Sequence, residues 1–514
     1  MKTQYKSLII GGNYESKKII NVAIASSLLF TSSCSTNNES KKTLENDNYK
    51  IENVITKSEI IIDEAVKEDE TNTIKINSIF SDGAVLQRKS VVCLYGKTND
   101  KWIAVKLMDK YYYGTIKNNE FEIYLPPFEA GGPYEMTLFT NTTKKTIHDI
   151  YFGEVFLCSG QSNMEFTMSA SNKQKKDLEN ASYNEIRLFN IPHSTSLIER
   201  DTIGNVSWSE ANSKTLANFT AVGYLIGREL HESLNVPIGL INASWGGSIV
   251  AFWMDKETYN DVSIEHNIFI NTSETVFTPS IGYNAMINPI IRYKMRSVIF
   301  YQGESNANNT AKFYDVELSS LIESYRVRSN NPNLGFSIIE LPRWGENTYW
   351  WAIIREKQQL VASTLNNVSI SNNIDQGEFN DIHPQDKHVL ASRTAMSILK
   401  TFFFADVNPY PVVKQIKKVN NKEIEIYFDS KVILKNGING FEISKDDYDY
   451  ITPKSYKFEK NILTLYSDEN INYLRYGYST EKLGDYDYLN DMSVQVSVYN
   501  EYDLPLDQFI RKID

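Results

Sequence analysis

A serine between small and amide residues is the residue of this sequence best suited to act as a nucleophile. Ser162 stands in the segment Gly160-Gln161-Ser162-Asn163, directly after an apolar run. A serine hydroxyl attacks a carbonyl only where a base lies within hydrogen-bond reach, an acceptor orients that base and N–H groups bind the oxyanion. His383 is the candidate base, and the following Pro384 restricts its backbone. These residue types indicate acyl transfer through a serine.

Two further polar segments follow apolar runs and could bind the oxyanion. They are Asn242-Ala243-Ser244-Trp245-Gly246-Gly247-Ser248 and Gln302-Gly303-Glu304-Ser305-Asn306. Gly247 and Asn306 are predicted donors to the oxyanion, together with the backbone amide of Ser162. Each motif alone is more often an ordinary turn, so the prediction depends on their occurrence after successive strands. The candidate substrate contacts are Gln161, Asn163, Trp245, Gln302 and Glu304.

The apolar runs before these segments predict the element that positions them. The runs are continuous, as in buried strands, and they alternate with stretches of helical periodicity. The predicted strands are 155–158, 238–241, 298–301, 336–339 and 368–370, and the predicted helices are 221–231, 314–325 and 350–365. This pattern indicates an α/β domain over residues 151–403 with a parallel sheet covered by helices. Ligands bind such sheets beyond the carboxyl ends of the strands, where the polar segments lie.

Short alternating strands are predicted on both sides of this domain. Residues 74–150 alternate apolar and polar side chains between turn residues, which indicates a small N-terminal β-sandwich. Alternation returns within residues 404–514, for example at Ile424, Ile426 and Phe428, and predicts a C-terminal β-rich region.

The N-terminus has the pattern of an export signal. Lysines precede the apolar run 19–30, which is followed by small residues and Cys34. The run is shorter than the roughly 20 apolar residues that span a bilayer. We predict a signal peptide of lipoprotein type over residues 1–33, lipidation of Cys34 and a disordered tether over residues 34–73. Plain secretion is the alternative. Both predict export, to a bacterial cell envelope or the medium, with membrane contact only through the anchor.

The composition argues against several classes of protein. A formal net charge of −11 does not suit a nucleic-acid-binding protein, because such proteins carry basic faces for phosphate. Three cysteines are too few for a disulfide framework, and no Cys/His cluster has zinc-ligand spacing. Acyl transfer through a serine also implies no metal or organic cofactor.

The motifs resemble those of the sialate O-acetylesterase family, within the SGNH superfamily of serine esterases. The segments 153–165, 242–247, 283–286, 301–307 and 381–384 match the family's blocks in order, and the resemblance extends over residues 76–510. It implies an SGNH-hydrolase-like sheet, with Ser162 as the nucleophile and His383 as the general base.

The resemblance leaves the acid of the triad open between two carboxylates. Asp381 stands two residues before His383, as this family tends to have it, whereas many SGNH enzymes carry an aspartate at the position of Asn380. Related acetylxylan esterases use the glutamate of a Gln-Gly-Glu block, which would be Glu304. Either carboxylate would orient the histidine, and we favour Asp381. Ser305, rather than an asparagine, occupies the position of the usual SGNH oxyanion donor.

The resemblance also implies the substrate class, an acetylated glycan. It predicts removal of O-acetyl groups from carbohydrate, with O-acetylated sialic acid as the favoured substrate. Acetylxylan or another acetylated polysaccharide is the alternative within enzymes. A non-catalytic, surface-anchored glycan-binding lipoprotein is the alternative of another class. A sialic acid carboxylate favours a cation in the site, for which Arg343 and Arg355 are candidates unless they are ordinary surface residues.

Overall fold

The computed structural model describes residues 62–270, 274–345, 349–378, 380–435, 437–478 and 496–513. The predicted signal peptide, Cys34 and the tether up to residue 61 lie outside these residues. All of the described residues belong to the unit Ile61–Asp514.

The N-terminal part of this unit consists of short strands. They are β1 Lys75–Ile76, β2 Val85–Gln87, β3 Val92–Lys97, β4 Ile103–Leu107, β5 Lys110–Tyr113, β6 Thr115–Lys117, β7 Glu120–Leu125 and β8 Gly131–Thr140. The order β1-β3-β7-β6 forms a four-stranded antiparallel sheet. Alternation explains its burial pattern, since Phe121, Ile123 and Leu125 of β7 are buried and their neighbours are not. Strands β4, β5 and β8 belong to the large central sheet instead.

Strand β9, Lys144–Gly160, joins the N-terminal strands to the central sheet. Its first part pairs antiparallel with β8, and its last part pairs parallel with central strands on both sides. Every residue from Ile150 to Gly160 is buried. The predicted boundary between residues 150 and 151 therefore falls inside one strand, because the partly exposed first part of β9 continues directly into its fully buried part.

A parallel sheet forms the centre of the molecule. Its further strands are β10 Ser182–Asn190, β11 Ser209–Asn212, β12 Ile238–Ser244, β13 Ser297–Tyr301, β14 Gly335–Ile339 and β15 Val368–Ser371. The order is β11-β10-β12-β9-β13-β14-β15, and all of these pairs except β11·β10 are parallel. All residues of β12, β13 and β14 are buried, which explains why their sequences are mostly apolar. The predicted parallel α/β sheet is confirmed, and β10 and β11 are strands that the sequence analysis missed.

Helices of two groups pack on this sheet. They are α1 Ser162–Glu165, α2 Lys175–Asn180, α3 Ser213–Leu216, α4 Ala221–Leu234, α5 Lys256–His266, α6 Tyr314–Arg328, α7 Tyr349–Thr364 and α8 His388–Phe403. Helices α4 and α8 pack together, α4 against β12 and α8 against β14 and β15, whereas α6 contacts α5 and α7. No helix in the described part of the chain is both long enough and apolar enough to cross a membrane.

The C-terminal part is built of strands with a core of their own. The strands are β16 Val413–Asn420, β17 Glu423–Phe428, β18 Val432–Leu434, β19 Phe441–Ser444, β20 Ser455–Glu459, β21 Ile462–Tyr466, β22 Tyr473–Tyr476, β23 Val498–Asn500 and β24 Phe509–Lys512. They form sheets in the orders β16-β17-β21-β20, β18-β23 and β19-β22-β24. Ile374, which follows β15, is part of this second core, so the loop after the last central strand packs against the C-terminal region.

Candidate active site

The end of β9 turns sharply and presents Ser162 at the start of α1. Gly160 has a φ of +138°, and a Cβ atom there would lie 2.0 Å from the carbonyl oxygen of Tyr301 on β13. Only glycine fits this conformation and this close approach. The amide of Gln161 donates to the same Tyr301 oxygen at 3.0 Å, which fixes the turn to the neighbouring strand. The Gly-x-Ser pattern therefore marks a tight strand-to-helix turn.

Ser162 and His383 are joined by a hydrogen bond across the edge of the sheet. The distance from Ser162 Oγ to His383 Nε2 is 2.9 Å. The imidazole lies near the ring of Phe166, with ring centroids 6.4 Å apart. Partial burial, followed by the positive charge of Lys387, lowers the pKa of His383 and outweighs the opposite effect of Asp381. A histidine with a lowered pKa is neutral over more of the pH range in which it could accept a proton.

Asp381 is the carboxylate that the structure brings to the other nitrogen of the imidazole. Its Oδ1 lies 3.6 Å from His383 Nδ1 and accepts the backbone amide of His383 at 2.8 Å. Its Oδ2 accepts a hydrogen bond from Gln385 Nε2 at 2.9 Å. The 3.6 Å separation is an ion-pair distance rather than a hydrogen bond, and such contacts often tighten only when substrate is bound.

Glu304, the alternative acid, lies in a different environment. It is buried, and its Oε1 accepts a hydrogen bond from Asn163 Nδ2 at 2.7 Å. Burial raises the pKa of Glu304. The Glu304 carboxylate therefore binds the side chain of the residue after Ser162, whereas the Asp381 carboxylate lies beside the imidazole of His383.

The predicted oxyanion loop passes directly beside the serine. A Cβ atom on Gly246 would lie 3.5 Å from Ser162 Cβ, and the Gly246 amide donates to Glu165 Oε2 at 2.5 Å. Gly247 has a φ of +76°, and its carbonyl oxygen accepts a hydrogen bond from Ser305 Oγ at 2.8 Å. Glu165 thus binds the first of the two glycines, and Ser305 binds the second.

Asn306, the predicted side-chain donor, has other partners. Its Nδ2 donates to the buried Glu317 Oε2 at 3.5 Å. Its Oδ1 accepts the Val250 amide at 3.0 Å and Gln302 Nε2 at 2.8 Å. The prediction is corrected in this respect, because the Asn306 side chain is engaged in a buried network that supports the loops rather than aimed at Ser162.

Most of the predicted substrate contacts are buried residues that bind neighbouring loops. Gln161, Asn163 and Gln302 are almost fully buried. Gln302 Nε2 donates to Gln161 Oε1 at 3.1 Å, and Gln161 Oε1 also accepts the Ser305 amide at 3.1 Å. These amides connect the loops that follow β9 and β13. Among the candidates, Trp245 is the one that is only partly buried.

Two residues that were not predicted as site residues contact the predicted oxyanion loop. The imidazole of His193 stacks on Trp245, with centroids 4.0 Å apart and planes 6° apart. His193 Nε2 lies 2.9 Å from Glu165 Oε1. Glu165 could have been found in the sequence, because it lies one helical turn after Ser162. His193 follows β10, a strand that was not predicted.

The two arginines considered for a substrate carboxylate are neither in the site nor on the surface. Arg343 and Arg355 are each 1% exposed. Arg355 donates to Gln508 Oε1 at 2.6 Å and to the Gly477 carbonyl at 2.7 Å. It therefore ties α7 to the C-terminal region. Within the described residues, no group of three or more His, Cys, Asp or Glu side chains could hold a metal ion.

Comparisons with known proteins find carbohydrate esterases among the proteins similar to this chain. Residues 152–395 match the family model described as "Carbohydrate esterase, sialic acid-specific acetylesterase". The sialate O-acetylesterase of Mus musculus is 29% identical over 335 residues, which is 54% of this chain and 62% of the mouse protein. The human sialate O-acetylesterase is 29% identical over 308 residues, 53% of this chain and 58% of the human protein. The chain thus spans less than two thirds of these two relatives.

A solved structure covers more of the chain. The crystal structure of a carbohydrate acetylesterase from Xanthomonas citri superposes with a TM-score of 0.76 at 26% identity, over 85% of this chain and 99% of that one. The similarity thus includes residues on both sides of the family match. Residues 152–395, just under half of the chain, are thus similar to carbohydrate esterases of the sialic acid-specific acetylesterase type.

Proposed function

We propose that this protein is a serine esterase that removes O-acetyl groups from carbohydrate. The observation that carries the proposal is the 2.9 Å contact of Ser162 Oγ with His383 Nε2, with Asp381 at the opposite nitrogen. A hydroxyl, an imidazole and a carboxylate in this order form the catalytic triad of a serine hydrolase.

The reaction would proceed through an acetyl-enzyme. His383 accepts the proton of Ser162 as the oxygen attacks the acetyl carbonyl, and the oxyanion is held by the amides of Ser162 and Gly247. The imidazolium, stabilised by Asp381, then protonates the departing sugar oxygen. In the second half His383 takes a proton from water as the water oxygen attacks the acetyl group, and the imidazolium then gives that proton to the Ser162 oxygen as acetate leaves.

We propose O-acetylated sialic acid as the substrate, in line with the family of the domain and the names of its relatives. Arg200 is an exposed cation that could meet the sugar carboxylate in place of the two buried arginines. It donates to Ser194 Oγ and to the Thr195 carbonyl, both at 2.7 Å, in the segment that begins at His193.

A neutral acetylated polysaccharide such as xylan is the second candidate. The observation that favours it is the acidity beside the nucleophile, because the side chains of Glu165 and Asp381 are both more than a third exposed. Carboxylates at the entrance disfavour a second anion.

Acetate release from O-acetylated sialoglycan and from acetylated xylan tests both candidates. The wild-type protein, Ser162→Ala and Arg200→Gln should be compared on each substrate. We expect release from the sialoglycan that Ser162→Ala abolishes, and a KM that Arg200→Gln raises on sialoglycan alone. Faster release from xylan would select the second candidate. Glycan binding without any release would mean a binding protein and would contradict the proposal.

We also propose that the protein is exported and anchored through Cys34. The proposal rests on the sequence pattern of residues 1–34 alone. Wild-type protein in the membrane fraction and Cys34→Ala in the soluble fraction of the cell envelope would support it. Equal distribution of the two would contradict it.

A further inference from the structure

A buried amide connects the segment that carries Ser162 to the segment that carries His383. Asn163 follows the serine directly and is 1% exposed. Its Nδ2 donates to the carbonyl oxygen of Ile382 at 3.0 Å, and Ile382 directly precedes His383. The same nitrogen donates to Glu304 Oε1 at 2.7 Å. Asn163 therefore joins the residue after the serine to the backbone directly before the imidazole.

A fully buried lysine holds the other end of the amide. Lys387 Nζ donates to Asn163 Oδ1 at 2.6 Å, and the residue has no exposed surface. The ammonium lies over two rings, 4.6 Å from the centroid of Phe166 and 5.7 Å from that of Tyr301. Aromatic faces attract a cation. Burial of a charged lysine costs free energy unless such partners compensate it, and an apolar residue would fill this place without that cost.

We propose that Lys387 and Asn163 are positioning residues, which fix His383 against Ser162 and hold the imidazole in its neutral form. The proposal rests on the function proposed above, in which His383 is the base. Asn163 acts through hydrogen-bond geometry, and Lys387 acts through that geometry and through its charge.

The charges around the two groups support the electrostatic half of the proposal. His383 is faced by Asp381 from its own loop and by Lys387 from the start of α8. Lys387 is faced by Glu304 after β13, and by Glu378, Asp381 and Asp386 from the segment before α8. Burial lowers the pKa of Lys387 to about 7, in spite of these carboxylates. In its protonated form Lys387 disfavours the imidazolium of His383.

Variants of the full chain separate positioning from ordinary structural support. Kinetics with a chromogenic acetyl ester should be compared for wild type, Lys387→Met and Asn163→Ala. Lys357→Met, which removes an ion pair with Asp315, is the matched control. We expect Lys387→Met to lower kcat by about 10- to 100-fold with little change in KM, since small displacements of a base cost about that much. The acid limb of its pH–rate profile should move to higher pH.

Asn163→Ala gives a different signature and serves if Lys387→Met does not fold. It breaks the bridge but keeps the charge, so kcat should fall while the acid limb stays in place. Lys387→Arg should retain the position of the limb. An unchanged kcat in Asn163→Ala, or an unchanged acid limb in folded Lys387→Met, would overturn the proposal.

A readout without catalysis distinguishes failure of this inference from failure of the proposed function. The pKa of His383 can be followed by NMR through its ring protons, with His383→Gln to assign the signal. If the wild-type protein released no acetate, the proposed function would fail, yet Lys387→Met should still raise the pKa of His383. An unmoved histidine pKa would overturn the role of Lys387 independently.

Discussion

The hydroxyl of Ser162 lies 2.9 Å from Nε2 of His383, although 221 positions of sequence separate the two residues. The contact exists because β9 ends at Gly160 and the histidine loop precedes α8 at the same edge of the sheet. Ligands bind at this edge in open α/β sheets. Asp381 completes the series at 3.6 Å from His383 Nδ1.

Replacement of the two candidate acids should have unequal effects. Asp381→Asn removes the charge beside His383 Nδ1 and should lower kcat by roughly 10²- to 10⁴-fold, as loss of the carboxylate does in serine proteases. Glu304→Gln keeps an acceptor for Asn163 Nδ2, so we expect a loss of less than about tenfold. Steady-state kinetics on one acetyl ester measure kcat for both variants. A larger loss for Glu304→Gln would mean that Glu304, and not Asp381, is the acid of the triad.

The pH dependence should follow His383. Because burial and Lys387 lower its pKa, the imidazole stays neutral below its ordinary value of about 6.5. The base is active when neutral, so kcat/KM should fall only as the pH drops through this lowered pKa. A profile of kcat/KM between pH 4.5 and 8 measures the midpoint of the acid limb. A midpoint above 6.5 would contradict the expected direction.

The loop of Gly246 and Gly247 should depend on Glu165. Glu165→Ala removes the acceptor of the Gly246 amide and should loosen the loop, lowering kcat by roughly tenfold or more. Glu165→Gln keeps an acceptor oxygen and should retain most of the activity. Glu129→Ala, at an exposed ion pair with Lys89, is the control. Equal kcat for Glu165→Ala and wild type would show that the loop does not depend on this side chain.

A buried carboxyl group near the site should make stability depend on pH. Burial raises the pKa of Glu317 to about 8, whereas an unfolded glutamate titrates near 4.3. The folded protein therefore retains a proton that the unfolded chain releases, so this contribution is complete below about pH 4 and is lost by about pH 8.

Glu317→Gln should remove this dependence. Gln keeps an acceptor for Asn306 Nδ2, and the variant should melt a few degrees higher than wild type at pH 8.5 and about equally at pH 4.5. Calorimetry at the two values measures the difference. A variant that is less stable than wild type at pH 8.5 would show that Glu317 is stabilising as a charge.

Much of the central fold could be predicted because its strands are buried on both faces. The runs at residues 238–241 and 298–301 lie in β12 and β13, where every residue is buried, and the runs themselves are apolar. β10 escaped prediction because its first residues, from Ser182, are polar and partly exposed. His193 follows this strand, so no predicted strand end indicated its place beside the oxyanion loop.

The roles of Ser162 and His383 could be predicted from the sequence, but the contacts that hold the two residues in place could not. Gly160 and Pro384 mark constrained backbone that can be recognised locally. The bridge from Asn163 to Ile382 and Lys387 joins segments more than 200 residues apart, and no local pattern encodes it. Arg355 was misjudged as a surface or site residue because its partners, such as Gln508, lie in the distant C-terminal region.

Trapping of the acetyl-enzyme tests the central claim most directly. The protein should be mixed with an activated acetyl ester, quenched with acid within milliseconds to seconds and digested for mass spectrometry. We predict one acetyl group on the peptide that contains Ser162 in the wild-type protein and none in Ser162→Ala. Acetate release at the full rate with no acetylated Ser162, or by Ser162→Ala, would contradict the account.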